Sequence, residues 1–210
     1  MGFCEIADLE KFLQIDIPAA KEDSAQRAID EATAAIQNYC HQQLELVEND
    51  VITLDSIGGT RLFLPELPII EVSEVVEDGE TLTVDDDYKV NPRFGIVHRV
   101  DVSWASGIQI IEVTYTHGYR LNDDYAVGDL MPEDIVQICA RAAARAYQAG
   151  LRAEEVAGVP GVQATSLGDY SVQFGSEQSG AGEAVLGASA SPILLRSERD
   201  LLNRYRVKGC

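Results

Sequence analysis

The 210-residue sequence is poor in basic residues, with 16 lysines and arginines against 35 aspartates and glutamates and a formal net charge of −19. Such a chain repels phosphate backbones, so a specific DNA-binding role is not expected. No run of 18 apolar residues is present, which excludes a membrane-spanning helix. The N-terminus has no basic stretch followed by an apolar one, which argues against a secretory signal.

Cysteine and histidine are scarce as well, with four and three copies. Cys4, Cys40, Cys139 and Cys210 include no CxxC pair, so neither a metal site nor a cofactor is predicted. Cys40 and Cys139 fall on apolar helix faces, which is typical of reduced, buried thiols rather than disulfides. The sequence also contains no GxxxxGK[ST] phosphate loop and no GxSxG nucleophile motif.

Three segments have apolar residues at helical spacing, and alanine dominates the two longer ones. Helices are predicted over residues 8–14, 20–42 and 132–150, the last opened by Pro132 and capped by Gly150. The buried stripe of the second helix is predicted to be Ala25, Ala28, Ile29, Ala32, Ile36, Tyr39 and Cys40. The stripe of the third is predicted to be Ile135, Ile138, Cys139, Ala142, Ala146 and Tyr147. Because alanine is small, these two helices are expected to pack closely on each other.

Between these helices the apolar pattern changes to period two. Short strands are predicted over residues 44–54, 60–65, 68–84, 87–90, 95–100 and 108–117. Asp78 and Gly79 form an Asp-Gly hairpin turn within the third of these segments. Short loops between the segments favour one antiparallel sheet, curled into a small barrel.

From Leu151 onward the composition shifts to glycine, serine and alanine. Residues 162–174 alternate like a strand or hairpin, and residues 175–191 have the composition of a flexible linker. A final helix is predicted over residues 197–206, with Ser197 as its N-cap. An isolated helix of this length is unstable, so it must pack on something, and the linker would let that be a neighbouring subunit.

The C-terminal end differs in charge from the rest of the chain. Residues 191–210 contain five basic and two acidic residues, a net charge of +3, so the preceding residues sum to −22. A basic end on an acidic body suggests docking on an acidic neighbour. The predicted partner-contact residues are Arg196, Arg199, Leu201, Leu202, Arg204, Tyr205 and Arg206.

These segments predict an α+β fold. A small alanine-rich helical bundle comprises residues 1–43 and 130–150, and an antiparallel β-domain over residues 44–118 is inserted into it. Residues 151–210 are predicted to form an extended C-terminal arm that ends in the short helix.

The stretch IEVTYTHGYRLNDDY (residues 111–125) carries the densest group of chemically active side chains. A catalytic interpretation makes His117 a base paired with Asp123 or Asp124. The structural interpretation makes it a half-buried histidine whose ring nitrogen bonds a loop carbonyl next to Gly118. Because the sequence contains no nucleophile at a known spacing, the structural interpretation is favoured.

Two other features allow a structural and a functional interpretation. Asp85 to Asp87, and Asp123 with Asp124, could bind calcium, but neither run has the alternating ligands and central glycine of an EF-hand loop, so solvated loops are favoured. Trp104 is predicted to be a packed aromatic residue rather than a ligand platform. No catalytic, cofactor-binding or metal-binding residue is therefore predicted.

A series of motifs resembles a known family. Along the chain these are ADLEKFLQIDIP, RLFLPELPIIEVSEVVEDGETL, VTYTHGY, MPEDIVQICARAAARAY, SLGDYSVQFG and ERDLLNRYR. Together they resemble the head–tail connector (adaptor) proteins of long-tailed double-stranded DNA bacteriophages, over essentially the whole chain. The most specific part is VTYTHGY followed by a PEDI helix start and the late GDYSV and LxxYR segments.

The resemblance implies a structural virion protein of the neck, assembled in the bacterial host cytoplasm. Such proteins form a ring, usually of twelve copies, under the portal and continue the DNA channel towards the tail. The implied partners are the portal protein, other copies of the chain and the next neck or tail component. DNA would pass through without specific binding, because an acidic wall repels it. The family has no catalytic residues.

Two other functions are compatible with the residues. One is an acidic DNA mimic or inhibitor that binds a basic enzyme, which predicts a compact monomer. The other is a carboxylate-dependent hydrolase, which predicts a deep pocket, strongly shifted pKa values and an activity that depends on Asp123 or His117.

Overall fold

A computed structural model describes residues 2–121, 128–157, 164–167, 170–173 and 193–207 of the chain. The chain divides into two compact units. The first comprises residues 1–36 and 134–202, and the second comprises residues 37–133 and 203–210. This division differs from the predicted one at the C-terminus. Residues 193–202 fall with the first unit and residues 203–207 with the second, whereas a separate arm was predicted over residues 151–210.

The described residues form four α-helices, and the α+β class is confirmed. The helices are α1 (Ile6–Leu13), α2 (Glu22–Cys40), α3 (Glu133–Ala157) and α4 (Arg196–Leu202), and a short 3-10 turn (Ala19–Lys21) precedes α2. The start of α1 is capped by reciprocal bonds between Glu5 and Asp8, in which the Glu5 N–H donates to Asp8 Oδ2 over 3.2 Å.

The core of the first unit is built from small side chains of α2 and α3. Of the predicted α2 stripe, all residues but Tyr39 are buried, and of the α3 stripe all but Ala146. Ala143 and Ala144 add to the α3 side, while Phe3, Cys4, Leu9 and Ile17 close the core from the N-terminal segment. The two predicted stripes are therefore confirmed as buried at all positions other than Tyr39 and Ala146.

The prediction that Gly150 ends the third helix is wrong, because α3 continues for seven residues to Ala157. The residues that follow Gly150 are Leu, Arg, Ala and two Glu, all of which favour helix. Glycine in a helix interior costs about 1 kcal/mol relative to alanine, which those neighbours offset.

Nine strands in the described part of the chain follow the predicted period-two segments. They are β1 (Val47–Gly59), β2 (Arg61–Phe63), β3 (Ile69–Glu77), β4 (Glu80–Thr81), β5 (Tyr88–Asn91), β6 (Ile96–Arg99), β7 (Trp104–His117), β8 (Ala164–Leu167) and β9 (Tyr170–Gln173). The last two form an antiparallel hairpin where a strand or hairpin was predicted. The Asp78-Gly79 turn is confirmed, with both residues at positive φ, 50° and 84°, between Glu77 and Glu80.

The strands of the second unit form two sheets, not the single predicted sheet. One has the order β1-β7-β3-β4 and the other β2-β6-β5, and all their pairs are antiparallel. Both sheets contribute to one hydrophobic core. Its buried members are Leu62, Leu64, Ile69, Val75, Tyr88, Val97, Trp104, Ile111, Val113 and Tyr115. Because the two sheets share one core, the inner face of each sheet is buried against the other. One flat sheet of the same strands could not bury these faces in this way.

Candidate interaction surfaces

The end of β7 holds His117 in a structural role. Its side chain is 1% exposed and follows Ile111, Val113 and Tyr115 in the inward row, as predicted. Nε2 lies 3.3 Å from Oδ2 of Asp50, and the ring centroid lies 4.9 Å from that of Tyr115. The predicted bond to a loop carbonyl is wrong, because the partner is the Asp50 carboxylate. Asp123 and Asp124 lie outside the described residues.

Gly118 turns the chain directly after that histidine. Its N–H donates to the Pro68 carbonyl over 2.9 Å, and the Tyr119 N–H donates to the Leu44 carbonyl over 2.8 Å. The Leu46 N–H in turn donates to the Tyr119 carbonyl over 2.9 Å. The motif THGY is thus the place where β7 ends and is bonded to the segment that leads into β1.

Asp87, the last aspartate of the run that precedes β5, also has a structural role. Oδ2 of Asp87 accepts the Thr83 N–H over 2.8 Å, and Oδ1 lies 3.4 Å from Nη1 of Arg99. The Thr83 hydrogen bond, helped by Arg99, lowers the pKa of the Asp87 carboxyl against the smaller opposing effect of burial. No cluster of three or more potential metal ligands occurs within the described ranges.

The depressed pKa of Asp87 predicts a pH-dependent stability. Because the folded state favours the carboxylate, its contribution is full above about pH 4 and is lost as the pH falls through the folded-state pKa. The Asp87→Asn variant should therefore be less stable than the wild type at pH 7 and equal to it near pH 2. Urea unfolding across this range measures the difference, with the exposed neighbour Asp86→Asn as control. A difference that does not change with pH would contradict the assignment.

Trp104 is a packed aromatic residue, as predicted. It is buried at the start of β7, and the Arg99 guanidinium carbon lies 5.4 Å from its ring centroid. Arg99 also pairs with Glu77, with Nη2 and Oε2 separated by 3.1 Å. These contacts hold the indole within the β core, where it is not available as a ligand platform.

The two longest strands continue beyond the rest of their sheet as a two-stranded ribbon. β3 pairs with β7 from Ile111 onward, whereas β1 pairs with β7 as far as Trp104. Ile57 and Ile108, which we call the ribbon tip, are 97% and 81% exposed. Ile57 pairs with Ser106, two residues from Ile108, so the register places both isoleucines on one face of the ribbon. Sequence reasoning missed this surface, because the strand predicted over residues 44–54 ends before Ile57 and Ile108 only begins the strand predicted over residues 108–117.

Residues 193–202 pack within the first unit instead of extending away. Leu194 and Leu202 are buried, and Glu198 is buried as well. Arg145 on α3 forms a two-pronged ion pair with Glu198, with Nη2–Oε2 and Nη1–Oε1 distances of 2.6 and 2.9 Å. Nη2 also donates to the carbonyl of Ile193 over 2.8 Å, and the Leu195 N–H donates to Glu198 Oε2 over 2.9 Å. Glu198, not the predicted Ser197, therefore satisfies the start of α4.

Residues 203–207 bond to the end of α2 within the second unit. Gln42 Nε2 donates to the Tyr205 carbonyl over 2.6 Å, and the Val207 N–H donates to the Cys40 carbonyl over 3.0 Å. The Tyr39 hydroxyl donates to Asn203 Oδ1 over 2.8 Å. The last carbonyls of a helix have no hydrogen-bond donor within the helix. For the Cys40 carbonyl at the end of α2, the Val207 N–H supplies that donor.

The seven predicted partner-contact residues separate into two groups. Leu202 is fully buried and Tyr205 is half-buried against its own chain, so the apolar side of the terminal helix is already covered. The other five are exposed, namely Arg196, Arg199, Leu201, Arg204 and Arg206. We call these five the basic face. Their side chains are exposed to solvent, whereas that of Leu202 is not.

A small cavity of about 140 Å³ lies between α2 and α3. It is lined by Ser24, Arg27, Ala28, Glu31, Ala146, Tyr147, Gly150 and Leu151. Glu31 is the one carboxylate in this lining, so the cavity holds no acid–base pair of the kind a carboxylate-dependent hydrolase requires.

Within the described part of the chain, no helix combines the length and hydropathy that crossing a membrane requires.

The fold has counterparts among solved structures. A chain from the neck of an empty GTA particle, computed with C6 symmetry, matches with a TM-score of 0.55 at 16% identity, covering 98% of this chain and 90% of that one. A chain from the virion of a native gene transfer agent (GTA) particle matches with a TM-score of 0.50 at 14% identity, covering 98% and 90%. No protein-family model and no curated protein matches the sequence. The chain therefore has the fold of a chain found in the neck of gene transfer agent particles, and the resemblance found in the sequence is confirmed at the level of the fold.

Proposed function

We propose that this protein is a structural ring component of the neck of a phage-like particle, where it joins the DNA-filled capsid to the tail. The observation that carries the proposal is the fold likeness to a neck chain over 98% of this chain and 90% of the other. A likeness of that extent includes residues of both units. The independent motif resemblance supports the same role. The role is structural and requires no catalytic residue.

Assembly into a ring would need contacts between copies, and the ribbon tip is suited to one. Two isoleucines on one face of the ribbon, exposed to 97% and 81%, leave apolar surface in water, and contact with a neighbouring copy would remove that surface from water. The similar neck chain comes from a particle computed with C6 symmetry, and a ring of twelve copies contains that sixfold symmetry. We therefore propose a dodecamer in which the ribbon tip contacts the adjacent subunit.

The charge of the chain is compatible with a DNA channel. With a net charge of −19, the protein repels phosphate groups, so a genome could pass through the ring without adhering to it. The basic face, with its four arginines, differs in charge from the chain as a whole. We propose that it contacts an acidic patch of the portal or of a neighbouring copy.

Electron microscopy of the purified protein, with and without purified portal, tests the proposed function. Rings of uniform diameter that continue the portal channel are expected in the mixture. If the protein stays monomeric when it is mixed with the portal at micromolar concentrations, the proposal is wrong.

The docking role of the basic face predicts the effect of charge reversal. The variant Arg196→Glu/Arg199→Glu should bind the portal at least about tenfold more weakly at low salt, because two attractive contacts become repulsive. Its melting temperature should hardly change. The new carboxylate at the first position of α4 would favour the positive end of the helix dipole, which offsets the loss of Arg199 at the other end.

The matched control is Arg152→Glu, an exposed arginine of α3 outside the basic face. Binding can be measured by sedimentation or light scattering at two salt concentrations. Equal weakening in the control and the double variant would mean that overall charge matters and the basic face does not.

A further inference from the structure

Two of the four cysteines meet in the core of the first unit. Sγ of Cys4 lies 3.4 Å from Sγ of Cys139, although 135 residues separate them in sequence. Cys139 is fully buried, and Cys4 is 7% exposed. A disulfide requires a sulfur–sulfur distance of about 2.05 Å, so the two atoms would have to approach by roughly 1.4 Å. Side-chain rotation and a small shift of the N-terminal segment can provide a movement of that size.

The surroundings hold this pair in place. The Phe3 N–H donates to Oγ1 of Thr33 over 3.1 Å, and that hydroxyl lies 3.6 Å from Sγ of Cys139. A Cβ atom on Gly2 would lie only 2.2 Å from Cγ2 of Ile29, so the N-terminal segment approaches α2 as closely as glycine permits. Residues 2–4 are therefore positioned by α2 so that Cys4 faces α3.

We propose that Cys4 and Cys139 form a redox-sensitive pair that a low-molecular-weight disulfide, such as oxidised glutathione, converts into an intrachain disulfide. In the first step the Cys139 thiolate attacks the small disulfide, which gives a mixed disulfide at Cys139 and releases one small thiol. In the second step the Cys4 thiolate attacks Sγ of Cys139 and releases the second small thiol. Two protein thiols are oxidised and one small disulfide is reduced to two thiols.

The polar groups around Cys139 favour the first step. The hydrogen bond from Cys4, and then those from Thr33 and the backbone of Phe3 and Cys4, lower the pKa of the Cys139 thiol against the opposing effect of burial. The Cys139 thiolate therefore attacks first, after the N-terminal segment moves aside to admit the small disulfide. The hydrogen bond to Cys139 and burial raise the pKa of the Cys4 thiol, and that hydrogen bond is lost once Cys139 carries the small thiol, so Cys4 acts second, as the resolving thiol.

Cys40 provides an internal comparison. It is buried like Cys139, but burial raises the pKa of its thiol to about 11, with a smaller opposing effect from Arg206. A thiol with a raised pKa and no thiol partner among the described residues is expected to stay reduced under the same treatment.

The test uses the unaltered full-length protein, incubated with millimolar oxidised glutathione, alkylated and digested with trypsin. The expected product is a linked pair of the peptides that span residues 1–11 and 121–141. The cross-link closes a long loop, so the melting temperature should rise by on the order of 10 °C. Dithiothreitol should reverse both changes. The Cys40→Ser variant should behave like the wild type, and Cys4→Ser should show neither change.

Three results would overturn the inference. One is full alkylation of both Cys4 and Cys139 after the incubation. Another is a digest in which Cys4 or Cys139 is linked to Cys210 or to glutathione while the 1–11 and 121–141 peptides remain separate. The third is a thermal shift that survives the Cys4→Ser change. The peptide map needs no variant, so it decides the question even if Cys4→Ser fails to fold. The inference does not depend on the proposed function.

Discussion

Replacing Gly118 with alanine is expected to destabilise the second unit by about 2–5 kcal/mol. Gly118 has a φ of +92°, which L-amino acids rarely adopt. A Cβ atom built there would lie 2.1 Å from the carbonyl oxygen and 2.6 Å from the carbonyl carbon of Glu45. These are backbone atoms, which cannot rotate away as the end of a side chain can. The segment that joins Leu44 and Leu46 to Tyr119 would have to separate from the end of β7.

Gly79 is the matched control for this substitution, since it separates backbone strain from crowding. Its φ is +84°, close to that of Gly118, but no heavy atom lies within 4 Å of an added Cβ. Gly79→Ala should therefore cost only the strain, about 1–2 kcal/mol. Urea unfolding followed by tryptophan fluorescence reports on this unit, because Trp104 lies in its core. Equal losses in the two variants would mean that the contact with Glu45 is not responsible.

The stretch around this glycine illustrates how far sequence reasoning reaches. The alternation of Ile111, Val113 and Tyr115 correctly predicts that His117 points inward, because strand periodicity is local information. The partner of that histidine is Asp50, 67 residues earlier, and no local pattern identifies it. The same holds for Gly118, whose requirement for glycine comes from a distant carbonyl group.

The sheets show the same limit on a larger scale. The Asp78-Gly79 turn and the ends of most strands are visible in sequence, since they depend on neighbouring residues. Pairing β1 with β7 brings together residues that are 45 to 70 positions apart in the sequence, and β2, β5 and β6 form a second sheet. The short loops favoured a single antiparallel sheet. The core that the two sheets share depends on which face of every strand is buried, and no local pattern shows this.

The C-terminal helix is the place where sequence reasoning about function was incomplete. Its basic residues and Leu202 suggested a helix that waits for a partner, because nothing in the sequence marks Glu198 as buried. The structure places Glu198 against Arg145 and thereby covers Leu202 within the same chain. Removing residues 191–210 is expected to destabilise the first unit, because Leu194, Glu198 and Leu202 are buried in it.

Substituting Arg145 with alanine is the second change expected to have a large effect. Glu198 is only 4% exposed at its side chain, whereas Arg145 is 36% exposed. Removing the arginine leaves a buried carboxylate without its counter-charge. In a fully buried pair this lowers the free energy of unfolding by about 3–5 kcal/mol. Because Arg145 is partly exposed, the expected loss here is about 3 kcal/mol. α4 is expected to detach first, so hydrogen exchange at residues 194–202 should accelerate before the rest of the first unit responds.

Arg141→Ala is the matched control, one helical turn earlier on α3. Arg141 is exposed and makes a 3.5 Å contact with Gln137, so its loss should cost less than about 0.5 kcal/mol. The double variant Arg145→Ala/Glu198→Gln is a second test, because its neutral amide replaces the buried carboxylate that Arg145→Ala leaves unpaired. This double variant should be more stable than Arg145→Ala alone. If it is equally unstable or less stable, the loss at Arg145 comes from packing and not from the unpaired carboxylate, and the ion pair is not what holds α4 in place.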